Sequence, residues 1–372
     1  MSLPGYPVGR IHLSDVQTPA LIVDLDRMER NIATMADAAR KGGVALRPHV
    51  KTHKTPAIAH MQMAAGAVGI CCATLGEAEV MAAAALPDIL ITRAVVGRSK
   101  IERVGALSRL TRIKVTTDSP ANVAELAQVA AEMGVRLDVF MEVNVGQDRC
   151  GVEPASPQAL DLARRIAGEA SLRFAGIQGY EGHLVLNPDA EARLRLTRTA
   201  NAGAAETKAM LERDGIPVPV LTGGGTGTYD VTGDAVISGY TEIQPGTYAT
   251  MDARYCTQMG ESPFAPALGL LSTCIGRGAA GRAIVDAGQK ALSVDYGPPQ
   301  VLRRPGLQYL PGKGGDEHGV LELTGADLQV GDRVELFPSH GCTTFNLHSW
   351  LYGYRGEYVE VAWQIAARGC SW

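Results

Sequence analysis

The chain has 372 residues, 46% hydrophobic and 20% charged, with a mean hydropathy near zero, which suits a globular protein with room for one large domain and a smaller one. A formal net charge of −4 with no clustered Lys and Arg excludes nucleic acid as a partner, and a small anion would need a local site. No run of about 18 apolar residues is present and the start, Met-Ser-Leu-Pro-Gly-Tyr-Pro, lacks the parts of a signal peptide, so no membrane partner is expected and the protein reads as cytoplasmic.

In chain order, the N-terminal segment up to about Asp15 is assigned to a β domain completed much later in the chain. From about residue 20 to about 250, short β-branched runs alternate with Ala-rich stretches, the signature of repeated βα units around a parallel sheet. The expected strands are Val44 to Arg47, Val68 to Cys72, Ile89 to Thr92, Ile113 to Thr117, Leu137 to Val143, Phe174 to Gln178, Val218 to Thr222 and Tyr240 to Ile243. About eight such strands over roughly 250 residues close a TIM barrel. Asp26 to Arg40, Leu75 to Ala85, Pro120 to Met133, Pro157 to Ala167 and Ala190 to Arg213 have the composition of crossover helices. The alternative, a doubly wound open sheet, calls for a Gly-rich turn after the first strand, where this chain has Pro48-His49-Val50-Lys51.

After about Asp252 the expected elements are strands without helices between them: Leu270 to Ile275, Ala283 to Asp286, Val320 to Leu323, Arg333 to Phe337 and Tyr358 to Ile365. The layout is therefore a (β/α)8 barrel over 16–251 and a mostly antiparallel β domain over 252–372, joined by 1–15. The cysteines are Cys71, Cys72, Cys150, Cys256, Cys274, Cys342 and Cys370. Seven is an odd number, spread over a long chain, so they are expected to be reduced and mostly buried.

Five clusters carry chemistry. In Arg47-Pro48-His49-Val50-Lys51-Thr52-His53-Lys54, basic groups crowd the end of the first strand, where a barrel opens onto its active-site face. A lysine desolvated there becomes nucleophilic enough to form a Schiff base. Lys51, following apolar Val50, is better placed to point inward than Lys54, although the same residues suit a solvated basic loop. Tyr180-Glu181-Gly182-His183 follows the sixth strand, and His183 is a proton carrier suited to neutral pH, set against a loop histidine with no task. Thr222-Gly223-Gly224-Gly225-Thr226-Gly227-Thr228 follows the seventh strand, where barrels bind phosphate through converging N–H groups. In Pro338-Ser339-His340-Gly341-Cys342, an extended backbone would turn imidazole and thiol to one side, two of the ligands of a divalent ion such as Zn²⁺. Asp316-Glu317-His318 offers groups to complete the metal shell or move protons.

The segments RPHVKTHK, GICCATLGEAE, GQDRCGV, GGGTGT, TEIQPGTYATMDARY, DEHGVL and PSHGCTTFNLHSW resemble, in order and spacing, the D-threonine aldolase and D-serine dehydratase family. That family consists of pyridoxal 5'-phosphate (PLP) enzymes of the alanine-racemase type, fold-type III. The resemblance runs from about Thr18 to Gly369. It implies that Lys51 binds PLP covalently and that Gly224, Gly225 and Thr226 hold its phosphate, with Tyr248 nearby. It also implies that Arg149 and Tyr180 border the cofactor ring, that His340 and Cys342 are metal ligands, and that the protein is a homodimer.

Most motifs lie on the aldolase side, which implies retro-aldol cleavage of D-threonine or D-3-hydroxyaspartate to glycine and an aldehyde. Cys342 departs from that pattern. A thiolate favours Zn²⁺ over Mn²⁺ or Mg²⁺ and matches the dehydratases, whose products are an α-keto acid and ammonia. Glu181 stands where an aldolase-like histidine is expected, with the imidazole moved to His183. The expected catalytic groups are therefore Lys51, His183, Glu181 and His318. A PLP-binding protein without lyase activity is a third reading, disfavoured by the β domain and the His340–Cys342 pair. Arg93, Arg98 and Arg254 are equal candidates to meet a second substrate carboxylate.

Overall fold

In the computed structural model, which describes residues 11–372, the eight expected strand runs form one parallel sheet. They are β1 (Ala45–Leu46), β2 (Ile70–Cys72), β3 (Asp88–Ile91), β4 (Arg112–Thr117), β5 (Leu137–Glu142), β6 (Leu172–Gly179), β7 (Leu221–Gly223) and β8 (Glu242–Ile243). From β2 to β8 each strand pairs with the next, and β8 also pairs with β1. The seam between β1 and β2 closes through a parallel bridge between His49 and Cys71, with Val68 N donating to Leu46 O and Cys71 N to Pro48 O. The sheet is thus a closed (β/α)8 barrel, which leaves no edge to protect. Its strands bury both faces, and β5, Leu-Asp-Val-Phe-Met-Glu, is buried at every position.

All five expected crossover helices are present, as Leu25–Gly42, Leu75–Ala83, Pro120–Glu132, Pro157–Gly168 and Ala190–Arg213. Three start on a side-chain cap: Thr74 accepts from Glu77 N, Ser156 from Ala159 N and Asp189 from Ala192 N. Such a cap satisfies an N–H that the first turn leaves unpaired. Two further helices, Pro56–Ala64 and Arg98–Leu107, gave no such signal. The first is too evenly apolar to show a period, and the second starts on Gly97 without a side-chain cap.

Charged side chains pair between strands of the barrel. Arg47 binds Asp88 at 2.6 Å and Glu242 at 2.9 Å, Lys114 also pairs with Asp88, and Arg173 pairs with Asp138. Arg47 and Glu242 are both almost completely buried, so each charge depends on the other.

The chain divides into two compact units. The barrel unit holds Ala33–Lys51, Ile58–Gly246 and Cys370–Trp372, and the β unit holds the described residues up to Ile32 together with Thr52–Ala57 and Thr247–Gly369. The change of unit at Thr247 lies five residues before the boundary expected at 252. Ala20–Asp24 is a strand of the β unit, paired with Leu268–Arg277 and Trp350–Arg355.

The β unit contains a ten-stranded sheet, antiparallel except where Trp350–Arg355 runs parallel to Ala20–Asp24. It includes the five expected strands, and it adds Ala20–Asp24, Gln300–Leu302, Leu307–Leu310 and Trp350–Arg355. Of the segment 1–15, Ile11–His12 pairs antiparallel with Tyr358–Val359, while 1–10 lie outside the described residues. A core of Ile11, Val16, Ala20, Ile22, Leu271, Tyr354 and Val359 fills one face. Among the described residues no helix is long and apolar enough to cross a membrane. Of the seven cysteines, only Cys71, Cys72 and Cys274 are buried. The expectation that most are buried fails because the other four lie on loops and short helices.

Candidate active site

In the barrel unit, the chain leaves β1 through the bridge at His49, buries Val50 completely and turns at Lys51. Lys51 N donates to His49 Nδ1 at 3.3 Å, and His49 Nε2 meets Thr92 Oγ1, beyond the end of β3, at 3.1 Å. Lys51 Nζ lies 5.7 Å from the centre of the Tyr180 ring, just after β6. The Arg149 guanidinium lies 5.7 Å from the centre of the same ring. A Cβ placed on Gly225 would come within 3.5 Å of Tyr180 Cε2. One phenol ring therefore borders the lysine, the arginine and the glycine loop, all at the strand ends where barrels place their chemistry.

The glycine loop is shaped by close backbone approach. A Cβ on Gly223 would sit 1.9 Å from Gly179 O, and one on Gly227 1.7 Å from Val185 O; Gly224 has φ +76°. No larger residue fits at these positions without moving the backbone. Glu181 anchors the loop from below. Completely buried, it accepts from Gly224 N at 3.2 Å and from the hydroxyls of Thr228 and Thr232, each at 2.7 Å. Thr228 Oγ1 in turn accepts from Gly225 N at 3.0 Å. The expected proton-transfer role of Glu181 does not fit this placement, because its carboxylate is sealed from solvent and engaged by three donors. The N–H groups of Gly224 and Gly225 are likewise turned into the protein, so these two glycines supply the loop's shape. His183, by contrast, is exposed and sits beside Gly146, whose hypothetical Cβ would meet the imidazole at 3.5 Å.

Sequence reasoning missed Glu142, the last residue of β5. Burial pushes its carboxyl up to about 7, against the opposing pull of Arg149 4.0 Å away, with Asp118 adding to the rise. Its position at the C-terminal end of a barrel strand is the signal that could have found it. Gln178 hydrogen-bonds to it from β6 and donates to Thr92 O at 3.0 Å, while Gln244 donates to Thr222 Oγ1 at 3.0 Å. These groups form a polar floor across the strand ends.

In the β unit, the segment holding His340 and Cys342 is not extended as expected. His340 caps the helix Gly341–Leu347, and Cys342 lies in its first turn. The two side chains still meet, since His340 hydrogen-bonds to the Cys342 thiol. His340 Nδ1 is 2.7 Å from Asp295 Oδ2, and the Cys342 thiol donates to Thr52 Oγ1 at 3.4 Å. Thr52 directly follows Lys51 in the chain. Burial pulls the imidazole pKa down, but Cys342 and Asp295 outweigh it and bring His340 to about 9.

An imidazole with a carboxylate on one nitrogen and a thiol beside it is the donor set of a zinc-type site with an outer-shell anchor. Among the described residues no three His, Cys, Asp or Glu side chains gather where they could hold a metal ion. His340 and Cys342 could supply two such donors. Asp316 and Glu317 do not join them, because both pair with Lys290 in solvent, and His318 beside them is exposed. Tyr248 is completely buried in the β unit, tilted against Phe264 at 5.8 Å.

The family model "Alanine racemase, N-terminal domain" matches residues 23–254, and "Putative serine dehydratase domain" matches 267–354. A D-threonine aldolase of Arthrobacter sp is 40% identical over 99% of this chain and 96% of its own. A 3-hydroxy-D-aspartate aldolase of Paracoccus denitrificans is 36% identical over 98% and 97%. The crystal structure of D-threonine aldolase from Filomicrobium marinum superposes with a TM-score of 0.93 at 40% identity, covering 98% of this chain and 99% of that one.

Proposed function

The chain belongs to the D-threonine aldolase and D-serine dehydratase family of alanine-racemase-type fold, and from this we propose a PLP- and metal-dependent lyase that cleaves small β-hydroxy D-amino acids by a retro-aldol step. The products are glycine and an aldehyde. The observation that carries this reading is the Tyr180 ring, bordered at once by Lys51, Arg149 and the glycine loop. It brings an amine, a cation and a glycine loop around one ring, which supports binding of a phosphorylated pyridine aldehyde.

When bound, PLP supplies an electron sink for the bonds at the α-carbon of an attached amino acid. The chain's own groups choose the bond. Lys51 provides the amine that binds the cofactor, and Thr226 with the glycine loop holds the phosphate. Arg149 and Tyr180 border the ring. His340 and Cys342 would present a divalent ion to the substrate's β-hydroxyl, with Asp295 fixing the imidazole, and the thiol favours Zn²⁺ over Mn²⁺ or Mg²⁺. His183 is the group that takes the hydroxyl proton as the Cα–Cβ bond breaks, since it is exposed and beside the loop that carries Arg149. A homodimer in the cytoplasm completes the reading.

Cys342 supports a second reading. With His340 and Cys342 holding it, a zinc ion would supply Lewis acidity to the β-hydroxyl, and loss of that hydroxyl with the α-proton would make the protein a dehydratase, with an α-keto acid and ammonia as products. Product analysis with D-threonine and D-3-hydroxyaspartate, run with Zn²⁺ and with Mn²⁺, separates the two. Glycine with acetaldehyde or glyoxylate is expected. Keto acid and ammonia instead would transfer the assignment to the dehydratase, and neither set of products would sink both.

A further inference from the structure

Cys370, Ser371 and Trp372 belong to the barrel unit, although the residues before them, up to Gly369, belong to the β unit. Three successive carbonyls fasten them there. Cys370 O accepts from Thr74 Oγ1 at 2.6 Å, Ser371 O from the Arg93 guanidinium at 3.3 Å and Trp372 O from Gly76 N at 3.1 Å. Gly76 lies in the first turn of the helix Leu75–Ala83, where N–H groups have no partner within the helix. A Cβ on Gly76 would meet Trp372 Nε1 at 2.9 Å and Cys370 Cβ at 3.0 Å. Trp372 also lines one recess with Thr74, Leu75, Ile91, Arg93 and Val95. The segment thus joins the loop that leaves β2 to the loop that leaves β3.

The same two loops meet again at Thr92, one residue before Arg93. Thr92 N donates to Cys72 O at 2.9 Å and Thr92 Oγ1 to the same carbonyl at 3.2 Å. A hydroxyl has one proton to give. With that proton on Cys72 O, Thr92 Oγ1 accepts from His49 Nε2 at 3.1 Å, which leaves His49 Nδ1 as the acceptor that Lys51 N reaches at 3.3 Å. One neutral imidazole tautomer satisfies both contacts. Gln178 holds Thr92 from β6, donating to its carbonyl at 3.0 Å. Thr92 therefore sets both the His49 ring and the turn at Lys51. An exposed hydrogen bond such as the one from Arg93 holds little alone. Three of them, with the indole seated on Gly76, fix both loops at their outer ends.

We propose that Cys370–Trp372 is a strap that holds the β2 and β3 loops together and, through Thr92 and His49, positions Lys51. The strap residues touch no reacting atom and act only through Thr92. The consequence for the cofactor rests on the reading of Lys51 above, whereas the strap itself does not.

The test uses the full-length, PLP-loaded protein and the variants Trp372→Ala, Trp372→Phe and Thr92→Val. In Trp372→Ala, amide hydrogen exchange should quicken at both 73–77 and 91–95 by roughly five- to tenfold, the effect of losing about one net hydrogen bond. Exchange over 221–228 should keep its wild-type rate. Hydroxylamine should strip PLP from Trp372→Ala faster by a similar factor, because a loosened turn opens Lys51 to solvent. Trp372→Phe, which keeps a ring over Gly76, should restore most of both. Thr92→Val should also lose PLP faster, and adding Trp372→Ala to it should change the rate by less than about twofold, since both act through one contact. Unchanged exchange at 91–95, or effects of Trp372→Ala and Thr92→Val that multiply in full, would overturn the proposal. If wild type retains no PLP, the lyase reading fails, and exchange at 73–77 and 91–95 still decides the strap.

Discussion

Lys51 and Lys54 look alike in the sequence, and the backbone separates them. Lys51 ends the turn that leaves β1, while Lys54, at φ +52°, carries a carbonyl tied to Ala367 N. Lys51 is preferred in the sequence because it follows apolar Val50, and its Nζ lies 5.7 Å from the centre of the Tyr180 ring. Glu142 was not legible, because a carboxylate at the end of an apolar run acquires its meaning only from burial. With 7% of its surface exposed, its carboxyl is raised to about 7, mainly by desolvation. A raised carboxyl pKa stabilises the fold fully below the unfolded value near 4.5, and that stability is lost as pH rises through about 7. The loss amounts to roughly 3 kcal/mol. Glu142→Gln should therefore flatten the fall in Tm between those pH values and be more stable than wild type at pH 8. An unchanged pH slope in thermal melts would show that Glu142 is not the group responsible.

At the scale of elements, helices with caps and strands with β-branched runs were readable, while the loops that build the site were readable only in composition. Thr222 to Thr228 could be recognised as a candidate anion loop. Its fixation by a carboxylate from another strand end could not, because Glu181 and Gly224 are far apart in the sequence. The same limit misplaced His340 and Cys342 on an extended segment, since nothing before Gly341 announces a helix start. Glu181→Gln leaves the three donors with one good acceptor, a loss of roughly 1–3 kcal/mol. The loop should then hold phosphate less firmly. PLP should dissociate roughly tenfold faster from this variant, measured by cofactor loss on dilution, with the far-UV spectrum unchanged. Wild-type retention of the cofactor would show that the anchor does not govern the loop.

For the molecule as a whole, the alternation of strand and helix was enough to give the barrel. The change of texture after about Asp252 was enough to give a second, mostly antiparallel unit. The boundaries were less legible because Ala20–Asp24 reads as the start of the βα series yet pairs with the β unit. The barrel's stability rests in part on the ion pairs between its strands, which no local pattern reveals. Glu242 already has one buried oxygen, Oε1, without a hydrogen-bond partner, so losing Arg47 leaves a sealed carboxylate unpaired. Arg47→Met should cost about 3–5 kcal/mol and lower Tm by roughly 5–15 °C in calorimetry. A shift under about 2 °C would mean that Lys114 takes over the pairing.

The central claim, that Lys51 carries PLP at the end of β1, has a direct chemical test. The PLP-loaded protein is reduced with borohydride, digested and mapped by mass spectrometry. The account predicts a phosphopyridoxyl group on the peptide at Lys51 and on no other lysine, and its absence from Lys51→Ala. A label on Lys54, or none on any lysine, would contradict it.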